Sequence, residues 1–178
     1  MSTSQQPGIV KCLGTEHLLD AYFENVFQGW LSEALELPQR NVRPAVELDL
    51  TQLPDLEDAA VFFPTNVRAS AYETSQTDDG LIMHYSGEVA IQVTICGIHA
   101  RELAMLLRDT FSINQNDQLL HERLGLGFVS ANIVAFTLEQ RGRMMCPRAD
   151  VNLTFNYKYS RLWAVFPIES AKANIQTS

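Results

Sequence analysis

The residues that could do chemistry are few, and their spacing rarely suits the task. The histidines are His17, His84, His99 and His121. None belongs to an H-E-x-x-H pair. Cys96 and His99 have a two-residue gap, but no second pair completes the four ligands of a structural zinc site. Cys12, Cys96 and Cys146 are an odd, scattered set with no disulfide framework, which fits a reducing compartment. A nucleophile elbow needs G-x-S-x-G, and Ser86-Gly87 lacks the upstream glycine. Paired carboxylates such as Glu57-Asp58 and Asp78-Asp79 fall in turn-like segments, where nothing sets them across a cleft.

The stretch "GEVAIQVTICGIHARELAMLLRDTF", Gly87 to Phe111, has the outline of a phosphate-binding unit, with a strand, a glycine and a helix. A phosphate cradle needs several glycines so that backbone N–H groups can converge on the anion. Here Gly97 stands alone with no Lys-Ser/Thr after it, although His99 and Arg101 could meet an anion at the helix start. Gly125-Leu126-Gly127 follows a helix pattern instead of a strand and reads as a turn. No catalytic residue, metal site or cofactor is therefore expected, and the chain reads as a non-enzyme.

The elements that would position any site are clearer. In "TEHLLDAYFENVFQGWLSEALEL", Thr15 to Leu37, apolar residues recur every three or four positions, which predicts a long amphipathic helix stopped by Pro38. "VRPAVELDL" predicts an edge strand because of Pro44. "AAVFF" predicts a short buried strand ended by Pro64, with "NVRASAYET" as a separate strand. The segment Ser75–Gly80 predicts a turn, and Asp79-Gly80 is a hairpin signal. A long strand follows through Cys96, bent or bulged at Gly87. Next comes a helix over about 98–111 with Leu103, Leu106, Leu107 and Phe111 inward. A shorter helix is then closed by Gly125 in a left-handed conformation. "FVSANIVAFTL" reads as a strand and "EQRGRMMCPR" as a loop, with Cys146 packed. "ADVNLTFNYKYS" alternates cleanly, setting Val151, Leu153, Phe155, Tyr157 and Tyr159 against polar neighbours, and "RLWAVFPIES" could finish the sheet. The order predicts an α+β fold, a mostly antiparallel β-sheet packed against a long N-terminal helix and one or two further helices. The expected organisation is a flexible N-terminal arm over 1–14, one domain over 15–168 and a C-terminal tail over 169–178.

Charge adds a second constraint. The chain has 178 residues and a formal net charge of -8. Residues 1–90 carry fourteen acidic and four basic side chains, and residues 91–178 carry seven and nine, together the 21 and 13 of the whole chain. No basic stripe of the kind that grips nucleic acid is present. The opening "MSTSQQPGIV" is polar, so a secretory leader is not expected, and no apolar run approaches the ~18 residues of a membrane span.

Taken as one pattern, the second half resembles the bacteriophage neck and tail-terminator (tail completion) family. The resemblance covers about Asn66 to Ile168. It rests on Val89, Ile91, Val93, Ile95 and Gly97 before an Ala/Leu-rich helix. It also rests on Arg148, Ala149, Val151, Leu153 and Phe155 after a loop. The resemblance implies a structural virion protein at the head–tail junction, made in the host cytoplasm. Its subunits would form a homo-oligomeric ring, a hexamer, that caps the tail tube protein and joins the head-completion or connector protein. A tail sheath protein would be a further neighbour in a contractile tail. DNA would pass through the lumen without sequence-specific binding. Glu47, Asp49, Asp78 and Asp79 are the candidates for an acidic, non-adhesive lumen, and Arg68, Arg141 and Arg143 for subunit contacts. Two other readings fit the same elements: a small thioesterase-like enzyme with its sheet wrapped on one helix, and an assembly adaptor for an apolar segment.

Overall fold

A computed structural model describes residues 21–45, 57–77, 80–111, 113–141 and 143–163. The expected arm over 1–14 and tail over 169–178 lie outside them. The elements run α1 (Ala21–Ala34), a 3-10 turn (Gln39–Asn41), β1 (Val42–Pro44), β2 (Ala59–Thr77), β3 (Gly80–Cys96), α2 (Ala100–Thr110), α3 (Asn114–Leu124), β4 (Leu126–Arg141) and β5 (Met144–Trp163). The five strands form one sheet in the order β1-β2-β3-β5-β4. Every pair is antiparallel except β1 with β2. Among the described residues the fold is α+β with three α-helices, as the order of patterns predicts.

The helices cover one face of the sheet. Val89, Ile91, Val93 and Ile95 of β3 and Val151, Leu153 and Phe155 of β5 are fully buried there against Phe23, Phe27 and Leu31 of α1 and Ala104 and Leu107 of α2. Phe155 sits at the centre, with its ring edge-on to Phe27, Phe111 and Phe128 at centroid distances of 6.3, 5.7 and 6.1 Å. Such contacts stabilise by roughly 0.5–1.5 kcal/mol per pair beyond the area they bury. On α2 the inward set is Ala100, Ala104, Leu107 and Phe111, while Leu106 is exposed. The expected stripe through Leu106 thus turns slightly, because small alanines let the helix lie close to the sheet. The helix ends before Pro38 as predicted. Glu36 takes a left-handed φ of 54° while Leu37 N–H returns to Ser32 O at 3.0 Å, a Schellman closure made without glycine. Gly125, φ 65°, closes α3 as expected, its N–H reaching His121 O.

Several boundaries differ from the sequence reading, all because edges tolerate what central strands cannot. "AAVFF" and "NVRASAYET" are one strand. β2 passes through Pro64 with a register shift that leaves Thr65 unpaired, which an edge strand allows, since its outward N–H needs no ladder partner. β3 is regular through Gly87. The bulge expected there lies on the neighbouring strand, between Ala69 and Ala71. The Ser75–Gly80 turn shortens until Thr77 pairs with Gly80. Most of the loop "EQRGRMMCPR" is strand, since Arg141 pairs with Met144 at the end of a β4–β5 hairpin. Cys146, at its base, is buried and free as expected.

Candidate assembly surfaces

The glycine that opened the phosphate question has a structural duty. Gly97 has φ +137°, and a Cβ there would lie 2.1 Å from Asp58 Oδ1 and 2.6 Å from Asp58 Cα. The close approach brings the Asp58 carboxylate to the head of α2. Its Oδ1 accepts the His99 backbone N–H at 2.9 Å, and its Oδ2 lies 2.7 Å from His99 Nδ1. The helix start therefore already holds an anion, and it is the chain's own. The hydrogen bond to Asp58, its charge and the more distant Glu102 raise the pKa of His99 above its ordinary value. Asn41 Nδ2 donates to the Asp58 backbone carbonyl at 3.0 Å, which ties the end of the 3-10 turn to the same corner.

A second polar cluster lies on β2, β3 and β5 beyond the helices. Ser75 Oγ is 3.2 Å from His84 Nε2, and Ser160 Oγ is 2.7 Å from His84 Nδ1. A hydrolytic serine needs its histidine oriented by a carboxylate on the second ring nitrogen. Both nitrogens of His84 meet hydroxyls, so the cluster cross-links three strands and lacks that orienting acid. The third cluster is on the sheet face away from the helices. Arg148 pairs with Asp150 at 3.0 Å and with Glu139 at 3.6 Å, and Thr94 Oγ1 donates to Asp150 at 2.7 Å. Burial opposes the Arg148 charge, but Asp150 and Glu139 outweigh it and raise its pKa further. Among the described residues no three His, Cys, Asp or Glu side chains are grouped to hold a metal ion.

What remains are surfaces, concentrated where the sheet overruns its helices. At one end the last β3–β5 pair is Cys96 with Arg148, and the β4–β5 hairpin continues beyond it to Arg141 and Met144. Leu138, Met144 and Met145 are exposed there, at 63%, 37% and 57%, and Phe136, one pair inside that end, is 48% exposed. Arg101 of α2 lies 5.4 Å over the Phe136 ring. At the other end β2, β3 and β5 extend past the start of β4, with Tyr72 exposed and Tyr85 stacked on Tyr159 at 4.8 Å.

The arginines chosen from sequence divide between these ends. Arg68 is exposed on β2, paired in register with Glu88 and level with the first residues of β4. Arg141 and Arg143 lie together at the far tip of β4–β5. The structure does not bring Arg68 to the other two. Glu47, Asp49, Asp78 and Asp79 lie outside the described residues. Sequence reasoning missed the apolar hairpin tip because "MMCPR" was taken for loop. The signal was there in Leu138, Met144 and Met145, large side chains for which a polar loop has no use.

An α+β subunit of this kind, with opposed overrunning hairpins and its polar clusters spent on bracing strands, defines a structural building block. A family model of phage neck terminator proteins matches residues 22–178, and the chain belongs to that family. It is a structural protein of the phage neck. No curated protein matches the chain.

Proposed function

We propose that the protein is the ring-forming terminator of the tail. Copies over residues 15–168 close into a hexamer that caps the last ring of tail tube protein. The ring joins the tube to a head-completion or connector protein, with a sheath protein beside it in a contractile tail, and is assembled in the host cytoplasm. DNA passes through the lumen. Glu47, Asp49, Asp78 and Asp79 are proposed to face it, since an acidic wall repels phosphate and lets the duplex slide.

The observation that carries this reading is the apolar tip of the β4–β5 hairpin. Leu138 and Met145 are exposed on one face of the hairpin beyond the end of β3, with exposed Phe136 just inside it on the same face and Met144 on the other, and apolar exposure of this kind marks a protein contact. A joining piece needs contacts at both ends, and the β2–β3 hairpin with its tyrosines projects the opposite way. Arg141 and Arg143 at the tip are suited to carboxylates on a neighbour.

Removing the protein from an otherwise intact phage is expected to leave tails of irregular length and heads without tails, read by negative-stain electron microscopy. Infectious particles of normal form would end the proposal. With the protein present, Leu138→Asp and Met145→Asp are expected to give the same unjoined parts while the subunit stays folded.

A further inference from the structure

Among the described residues the two long edges of the sheet carry little or no strand cover. Among the described residues no strand lies outside β4. On the other side β1 covers β2 only at Ala60, Val61 and Phe62, and no other described strand lies outside 63–77. Edge strands are ordinarily guarded by charge, since a row of unpaired N–H and C=O groups is a template for another strand. Here the protection is Pro64 and the bulges, and charge is scarce. Leu126 through Leu138 contains no charged residue, and residues 59–72 contain only Arg68.

The edges also share an irregularity. β3 and β5 pair without a break from Leu81 to Cys96. β2 skips Thr65 and Ser70, and β4 skips Val129 and Val134, the same distance apart along the chain on both strands. Each skipped residue reverses which side chains face the helices. Against the straight β3 and β5 each reversal is taken up by leaving one residue out of the ladder. Along a strand that reverses at the same spacing no residue need be left out.

We propose that β4 of one copy pairs antiparallel with residues 63–74 of β2 in the next copy, and that this edge-to-edge joint closes the ring. The joint rests on the ring reading above. The directions fit: β2, β3, β5 and β4 alternate, so β2 and β4 run oppositely, and a neighbour related by rotation continues the alternation. In the register that sets Arg68 opposite Asn132, residues 63–74 meet 126–137. Val67 then meets Ile133 and Tyr72 meets Phe128, each pair on the helix side, while Arg68 and Asn132 share the far side, on both sides of both reversals. The contact stops where β1 begins. β4 could also pair with β4 of a second copy about a twofold axis. Such a pair closes on itself, cannot propagate into a ring, and leaves the matching spacing of β2 without a purpose.

The test uses virions assembled with the full chain carrying Arg68→Cys and Asn132→Cys, both at exposed positions. Cys96 and Cys146 are buried and do not compete, and Cys12 is replaced by serine in every variant, including the single-cysteine controls. Mild oxidation is expected to give a ladder of covalent multimers ending at the ring size seen by electron microscopy, whereas either substitution alone gives monomer. Rings seen by microscopy without the ladder overturn the edge joint and leave the ring standing. Absence of any ring at the neck overturns both. Dimers from Asn132→Cys alone overturn the joint in favour of twofold pairing. As a second measure, Asn132→Lys with Val134→Lys restores the missing edge charge. The subunit is expected to keep its circular dichroism and thermal midpoint and to lose assembly, and unchanged assembly would sink the joint.

Discussion

The centre and the edges of the sheet obey different rules. β3 and β5 are regular and alternate strictly, and their helix-facing residues are fully buried from Val89 to Ile95 and from Ala149 to Phe155. β2 and β4 flank them with two bulges each and expose Val67, Tyr72, Val134 and Leu138. A side chain in the centre has its environment decided by this chain alone. An edge side chain meets conditions that a neighbour must complete. The contrast teaches where to look for each property: stability should respond to the centre, and assembly to the edges and tips.

The largest expected effect follows from that division. Phe155→Ala removes a fully buried ring at the meeting point of α1, β4 and the segment after α2. The loss should be about 3–5 kcal/mol, a large part of the total stability of a domain this size. Urea unfolding of the isolated subunit would read it directly. A loss below about 1 kcal/mol, within the range of surface substitutions, would mean that the centre does not carry the fold.

Gly97→Ala should come next, at about 2–4 kcal/mol, from a positive φ that alanine resists and a Cβ driven into Asp58. It sharpens the comparison because Gly97 lies where the regular centre ends. If alanine is tolerated there, the corner is not held by Asp58. An accompanying Asp58→Gly should not recover the loss, since the new methyl still meets the backbone Cα at position 58 and the hydrogen bonds of the carboxylate to His99 are gone.

These expectations also mark what the sequence could and could not reveal. The centre was legible. Strict alternation in β5 sets Val151, Leu153, Phe155, Tyr157 and Tyr159 on one side, and the first four are buried and Tyr159 half-buried. The three-and-four spacing of Thr15 to Leu37 puts Phe23, Phe27, Trp30, Leu31 and Leu35 on the stripe, and these are buried while Tyr22 of the same stripe is exposed; Gly125 announces its left-handed cap. Local pattern and global packing agree at such positions. The edges were legible only in part. Pro64 looked like a terminator, because one sequence does not reveal whether its missing N–H would have been needed. The bulges were invisible for the same reason: which residue is skipped depends on the partner strand. Gly97 was noticed for phosphate chemistry, but its true partner, Asp58, is distant in sequence and had been dismissed as part of a solvated carboxylate pair. The arginines of the β4–β5 tip were singled out from charge alone, with no means of seeing that the tip was a strand end rimmed by methionines.

The smallest predicted effect concerns the corner that joins those two regimes. His99 is exposed, and its pKa is raised first by the hydrogen bond to Asp58, next by that carboxylate's charge and weakly by Glu102. A histidine whose folded pKa lies above its unfolded value of about 6.5 stabilises the folded state fully below that value and loses the contribution as pH rises through the folded pKa. The window therefore opens near pH 6.5 and extends upward. Comparison of the urea midpoint of the native chain with that of His99→Gln, from pH 5.5 to 8.5, isolates the ring. Glutamine keeps the backbone N–H that Asp58 accepts and removes the titrating group. The native chain should hold a small advantage at the acid end that disappears toward the alkaline end, and the advantage should shrink as salt is raised, because His99 is exposed. A difference that stays constant across the range would mean that His99 and Asp58 meet without coupling. The head of α2 would then be held by the backbone hydrogen bond and the glycine alone.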